Sequence, residues 1–312
     1  MKKAYFPLLL CLILILSACG NKQASESSSG TAAGNAAAED TKPQTITYQS
    51  ENGPVEVPAN PKRVVVLSSF TGNVLSLGVN LVGVDSWSKT NPNFQDKLKD
   101  VQEVSDENLE KIIELNPDLI IGLSNTKNID KLKQIAPTVT FTYGKVDYLT
   151  QHLEIGKLLN KEKRLKPGSI ASNNGRKSGE EIKAKIGENA TVSVIESFDK
   201  QLYVFGDNWA RGTEILYQQM KLKMPEKVKA SALKEGYYAL SPEVLPEFAG
   251  DYVIFSKNND ADNSFENTET YKNIPAVKNN HVFVADAKAF YFNDALTLDY
   301  QLDFFIKHFL GK

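Results

Sequence analysis

The sequence predicts an α/β protein of two lobes. Three observations carry this. Short, continuous apolar runs such as VVVL (64–67), LVGV (81–84) and DLIIG (118–122) read as strands buried on both faces, as in a parallel sheet. Segments with helical periodicity alternate with those runs. The alternation occurs twice, with a mostly helical stretch at 147–187 between the two sets.

Taken in order, ITYQ, ENG and VEV (46–57) read as a hairpin turning at Asn52-Gly53, with Pro54 pointing to an edge position. Val64 to Leu67 is the first buried strand. FTGNVLSLG (70–78) suits a helix stopped by Gly78, and Leu81 to Val84 is the next strand. Asn108 to Leu115 is helical by the spacing of Leu109, Ile112, Ile113 and Leu115, and Pro117 ends it before strand 118–122. Ile129 to Ile135 is a helix and Val139 to Phe141 a strand. The first lobe is thus expected over 45–146.

Asp147 to Asn160 reads as a helix, with Leu149, Leu153, Ile155, Leu158 and Leu159 apolar. KRLKPGSIASNNGRKSG (163–179) holds Pro167, Gly168 and Gly175 and almost nothing apolar, so propensity predicts loop or disorder there, with helix resuming at Glu180 to Ile186. The second lobe, expected over 188–312, has strands at Ala190–Ile195, Gln201–Phe205, Asp251–Phe255 and His281–Val284. Its helices fall at Thr213–Met220, Pro242–Phe248, Asn267–Ile274 and Leu296–Phe309. Ligands of open α/β lobes sit beyond the carboxyl ends of the strands, so two lobes place a cleft between them.

The chain opens MKKAYFPLLLCLILILSAC. Lys2 and Lys3 precede an apolar run too short for a confident membrane span, and Leu16-Ser17-Ala18-Cys19 matches a lipobox. Residues 1–18 are therefore read as a signal peptide and Cys19 as the lipidated residue, which places the mature protein on the outer face of the cell membrane. Residues 20–42 contain no aromatic or branched apolar side chain, and 19–44 is read as a flexible lipidated tether. The only other cysteine, Cys11, leaves with the signal, so no disulfide or cysteine metal site is expected. Loss of Lys2 and Lys3 takes the formal charge from -2 to -4, which gives no support to nucleic-acid binding.

Chemistry concentrates in Asp207-Asn208-Trp209-Ala210-Arg211-Gly212, a loop between a strand and a helix. There Trp209 offers apolar contact and Arg211 charged donors to one ligand. Tyr143, Tyr203 and Tyr291 lie near strand ends. Aromatic rings around one arginine suit a bulky, polar ligand with negative character. Each aromatic alone is as readily a core or rim residue. Catalytic sets are weak: His152, His281 and His308 have no metal-ligand spacing, and HExxH, GxSxG and phosphate-loop motifs are absent. Aspartates and glutamates are plentiful, so composition leaves paired-carboxylate hydrolysis open, although nothing places such a pair; only with the family resemblance below are no enzymatic activity and no cofactor expected. Trp87 and Trp209 are the only indoles, and Trp209 is the one expected in the cleft.

The lipobox, NPKRVVVLSS, LEKIIELNPDLIIG, IAPTV and LPEFAGDYVIF resemble the iron-siderophore substrate-binding lipoproteins of Gram-positive ABC importers. LYVFGDNWARGTEILYQ and FYFNDALTLD are similar to the hydroxamate branch, which takes up ferrichrome and ferrioxamine types. The resemblance covers nearly the whole body. It implies a class III periplasmic-binding-protein-like fold, with two α/β lobes joined by a single long helix. It implies that Trp209 and Arg211 contact an Fe(III)-hydroxamate siderophore whose iron is already wrapped, with Tyr143, Tyr203 and Tyr291 as cleft aromatics and no direct metal ligand. Glu110 and Glu243 fall where the family docks on permease arginines. Read from the residues alone, both are equally ordinary first-turn helix carboxylates. The implied partners are the ABC permease subunits and, through them, an ATPase, with the receptor monomeric and held to the membrane by its N-terminal lipid.

Two departures stand out. The family more often has glycine where Ala210 stands, and its methyl group is tolerated unless that backbone needs a positive φ. Residues 164–178 lack the amphipathic helix of relatives, and fit a local reading-frame error better than a genuine loop, because helix resumes cleanly afterwards; resequencing the gene decides between them. The same fold could serve another chelate, such as haem, cobalamin or a catecholate siderophore. A catecholate complex would ask for several basic groups in the cleft, and Arg211 alone is prominent.

Overall fold

The computed structural model describes residues 44–164 and 172–312. The expected signal, lipobox and nearly all of the tether lie outside the described residues, as does 165–171. Strands β1 (Thr45–Ser50) and β2 (Gly53–Pro58) form an antiparallel hairpin. Its turn residues are Glu51 and Asn52, and Gly53 (φ +104°) opens the return strand. Asn52 Nδ2 donates to Thr140 Oγ1 at 3.1 Å and Thr142 Oγ1 donates to Glu51 Oε2 at 2.8 Å, laying the hairpin on the first lobe.

That lobe is built on β3 (Val64–Val66), β4 (Leu81–Val84), β5 (Gln102–Glu103), β6 (Leu119–Leu123) and β7 (Thr138–Phe141). All are parallel, in the order β5-β4-β3-β6-β7. Along β3 and β6, Val64, Val66, Leu119 and Ile121 enter one core and Val65 and Ile120 the other. Burial on both faces is why these strands read as unbroken apolar runs. The crossovers carry α1 (Thr71–Ser76), α2 (Ser86–Thr90), α3 (Gln95–Leu98), α4 (Leu109–Glu114) and α5 (Ile129–Ile135). Asn108 caps α4, its side chain accepting from Lys111 N at 3.2 Å.

The connection between lobes departs from a single long helix. It contains α6 (Tyr148–Leu158) and α7 (Ser172–Ile186), with 165–171 between them outside the described residues. Asp147 caps α6, and Ile155, Leu158 and Leu159 join the first-lobe core. Helix α7 begins at Ser172, inside the stretch read as loop, rather than at Glu180. Its glycines are contact surface rather than breakers. A Cβ on Gly179 would lie 2.4 Å from the carbonyl oxygen of Met220, and one on Gly175 3.1 Å from Gln219 Cβ. Ile182 then anchors α7 in the second-lobe core.

The second sheet runs β10 (Tyr237–Leu240), β9 (Gln201–Phe205), β8 (Val192–Phe198), β11 (Tyr252–Lys257), β12 (Val282–Asp286). Strands β8, β11 and β12 are parallel, and β9 is antiparallel to both neighbours. The segment expected as an α-helix at 213–220 is a π-helix over Glu214–Gln219, in which Met220 N bonds Ile215 O, five residues back, at 2.8 Å. Helices α8 (Glu226–Ala232), α9 (Leu245–Phe248), α10 (Glu269–Lys272) and α11 (Pro275–Lys278) cover the sheet face that carries Ile195, Val204 and Phe255. Helices α12 (Ala287–Phe290) and α13 (Ala295–Phe305) follow. Here the chain returns to the first lobe: Ala287, Tyr291 and Phe292 share a core with Phe70, Val74 and Phe94, although the sequence places them within 188–312. Gly72 of α1 meets Asp294, the N-cap of α13, so closely that a Cβ would stand 1.9 Å from Oδ1.

Candidate functional site

The loop after β9 holds Ala210 (φ +57°), Arg211 (φ +57°) and Gly212 (φ +84°) in consecutive left-handed conformations. The condition under which alanine is unsuited at 210 is therefore met. The neighbourhood offsets that strain with hydrogen bonds. Ala210 N donates to Glu214 Oε1 at 3.0 Å, Arg211 N to Phe290 O at 2.9 Å, and Thr213 Oγ1 to Ala210 O at 2.8 Å. Asn293 Nδ2 also donates to Glu214 Oε1, at 2.8 Å. Glu214 is fully buried, and burial pushes its carboxyl up against these donors.

This loop sends Trp209 and Arg211 into a cavity of about 360 Å³ shared with Tyr143, Tyr291, Trp87 and Asp85. The Trp209 indole lies on Gly236, where a Cβ would sit 2.4 Å from Cε3. Its ring is 5.5 Å from Tyr143, edge-on, and 5.1 Å from Tyr237. Arg211 is clamped. Its Nη2 and Nε donate to Oε1 and Oε2 of Glu196 at 3.0 and 3.2 Å, and its guanidinium carbon lies 5.0 Å from the ring centroids of both Phe205 and Tyr291. Burial opposes the charge on Arg211, but Glu196 overrides it and raises the pKa. Burial, then Glu196, pushes the Tyr291 phenol up to about 12, and burial with Glu214 raises that of Tyr143. Both phenols are neutral near pH 7 and can donate hydrogen bonds. Burial also raises the Asp85 carboxyl.

Four of the five sequence-predicted residues, Trp209, Arg211, Tyr143 and Tyr291, thus meet in one cavity. Tyr203 does not line it; its ring packs edge-on to Tyr237 at 5.9 Å. Trp87 and Glu196 were missed. Trp87 is 44% exposed and packs 4.9 Å from Tyr291, so both indoles belong to the cleft. The signal for Glu196 was present: a lone carboxylate inside the apolar run VSVIESF needs a buried cation. Glu110 is exposed in the first turn of α4. Glu243 is exposed in the turn before α9, not in the helix, and the Ser241 hydroxyl holds its carboxyl low. Cys19 lies outside the described residues. A second hollow, of about 690 Å³, opens between Gly144–Leu149 and the π-helix and holds none of these residues. Among the described residues no group of three or more His, Cys, Asp or Glu side chains could hold a metal ion.

Aromatic walls around a fixed guanidinium, between two α/β lobes, make a capture site for a small ligand with exposed oxygens. The chain belongs to the periplasmic binding protein family, whose model matches residues 64–289. It is 37% identical over 309 residues to the iron(3+)-hydroxamate-binding protein YxeB of Bacillus subtilis, covering 95% of this chain and 92% of that one. The structure is similar to FhuD from S. pseudintermedius (TM-score 0.78, 34% identity, 86% of this chain and 99% of that one). It is also similar to FhuD2 from Staphylococcus aureus with bound ferrioxamine B (TM-score 0.77, 35% identity, 80% and 99%).

Proposed function

We propose that this chain is a receptor for ferric hydroxamate siderophores that delivers them to an ABC permease. The observation that carries this is the Arg211 guanidinium fixed between two aromatic rings in the inter-lobe cavity, in a chain 35% identical to a protein whose structure holds ferrioxamine B. A wrapped ferric hydroxamate presents oxygens near iron and methylene chains around them. Arg211, Tyr143 and Tyr291 supply donors for the oxygens, and Trp209 and Trp87 supply apolar surface for the chains. Iron is cargo and needs no ligand from the protein. Tyr203 acts by backing Tyr237.

The receptor acts on the outer membrane face, held by lipid on Cys19, as a monomer. Glu110 and Glu243, exposed on different lobes, pair with permease arginines. The chain has no catalytic role. The test is tryptophan fluorescence of the chain titrated with ferrioxamine B, ferrichrome, a ferric catecholate and haem, repeated with Trp87→Phe and Trp209→Phe. Saturable quenching by a hydroxamate at sub-micromolar concentration, seen in both single-indole variants, supports the reading. Tight binding of haem or catecholate without hydroxamate binding overturns it.

A further inference from the structure

The cation that faces the cleft is already neutralised. Glu196 has no exposed surface, and the exposure of the Arg211 side chain is 15%. The pair is bidentate, and Ser256 Oγ donates to Glu196 Oε2 at 2.5 Å, fixing the carboxylate from its far side. Neither partner can swing away, because Phe205 and Tyr291 hold the guanidinium. The pair engages Nε and Nη2, and Nη1 takes no part in it. Among the described residues, the other carboxyl or amine side chain in the cavity wall is Asp85, and no lysine lines it. Glu214 adds a second buried carboxyl behind Ala210.

Glu196 is fully buried behind Arg211 in a bidentate pair of 3.0 and 3.2 Å, so an anion entering this cavity faces an ion pair with no net charge. Glu196 offsets part of the guanidinium field, while the hydrogen-bonding capacity of the guanidinium persists. A neutral or cationic complex loses nothing by this. An anionic complex gives up water without a compensating charge. We propose that Glu196 is a positioning and specificity-determining residue: by neutralising and fixing Arg211 it admits neutral and cationic ferric complexes and rejects anionic ones. This rests on the reading that Arg211 contacts the ligand.

The test uses one chelate scaffold in three charge states: ferrioxamine B with its protonated amine, its N-acetyl derivative and its N-succinyl derivative, alongside a trianionic ferric tris(catecholate). The Glu196→Gln variant keeps the shape and one acceptor. The preference for neutral over anionic complexes is expected to fall by about tenfold or more, as removing the charge that opposes Arg211 requires. Affinity for the N-acetyl complex should change less than that for the N-succinyl complex, because the guanidinium remains held by two rings. The double variant Glu196→Gln/Arg211→Gln should return the charge preference to that of the parent chain. It also removes the unpaired buried charge if the single variant folds poorly. Equal weakening of every complex in Glu196→Gln, or an unchanged preference, overturns the proposal. If the parent chain binds no hydroxamate, the receptor reading itself falls. If it binds them and Arg211→Gln has no effect, only the contact assigned to Arg211 falls, and this proposal with it.

Discussion

Ala210 and Gly212 occupy the same left-handed region two positions apart, yet substitution at the two should have very unequal costs. At Gly212 (φ +84°), an added methyl group would stand 2.4 Å from Phe305 Cζ and 2.9 Å from Cε2. Phe305 is fully buried and cannot retreat without disturbing Phe290, whose ring is 5.9 Å away. For Gly212→Ala, left-handed strain costs about 1–2 kcal/mol and overpacking about 1–3 kcal/mol. The stiffer unfolded chain returns about 0.4–1 kcal/mol. The net is a loss of roughly 3 kcal/mol, or about 6–12 °C in thermal midpoint for a chain of this size. At Ala210 (φ +57°) the methyl group is already buried. Ala210→Gly relieves about 1–2 kcal/mol of strain, loses about 0.8 kcal/mol of burial and loses about 0.4–1 kcal/mol to the freer unfolded chain. These nearly cancel, so the variant should stay within about 1 kcal/mol of its parent. Calorimetry of both variants checks the pair. A Gly212→Ala midpoint within 2 °C of the parent would refute the reasoning, as would an Ala210→Gly shift as large as that expected for Gly212→Ala; both figures rest on roughly 2–4 °C per kcal/mol.

Gly236→Ala drives a methyl group into Trp209 Cε3 from a backbone at φ +86°. The indole should be displaced and hydroxamate affinity should fall by about tenfold or more; a titration unchanged from the parent would show that Trp209 is not placed by this glycine. Asp294 gives a pH prediction. Burial raises its carboxyl from 3.8 to about 6 in the folded chain. A raised carboxyl favours the native state while protonated, so its contribution is complete below pH 3.8 and is lost as pH rises through about 6. Asp294→Asn keeps a helix cap without titrating. The stability of the parent relative to this variant should therefore fall between pH 4 and pH 7, by about 3 kcal/mol at most; denaturant melts at both ends of that range test it, and a constant difference would contradict the assignment.

Much of the fold was legible because burial on both faces leaves an unmistakable local mark. VVV in β3 and LII in β6 have no polar alternation, and Asn108 and Asp147 announce their helices by capping them. The short elements α2, α3, β5 and β10 left no such mark. Helix α7 was hidden for a different reason. Gly175 and Gly179 weaken a helix considered alone, and become favourable only when Gln219 and the Met220 backbone, at the end of the π-helix, approach within contact of them.

The candidate site divides in the same way. The sequence by itself determined that Trp209 and Arg211 stand in a loop between strand and helix, because that placement depends on neighbours along the chain. It also indicated two lobes and the family, through motifs that are contiguous. Tertiary structure alone decided which residues complete the site. Glu196 reaches Arg211 across the β8–β9 hairpin, Trp87 reaches Tyr291 from a segment distant in sequence, and Tyr203 packs against Tyr237 rather than lining the cavity. Side-chain periodicity reports whether a residue is buried. It carries no information on which distant segment does the burying, since that follows from strand order and crossovers, and here it sets the charge of the cleft.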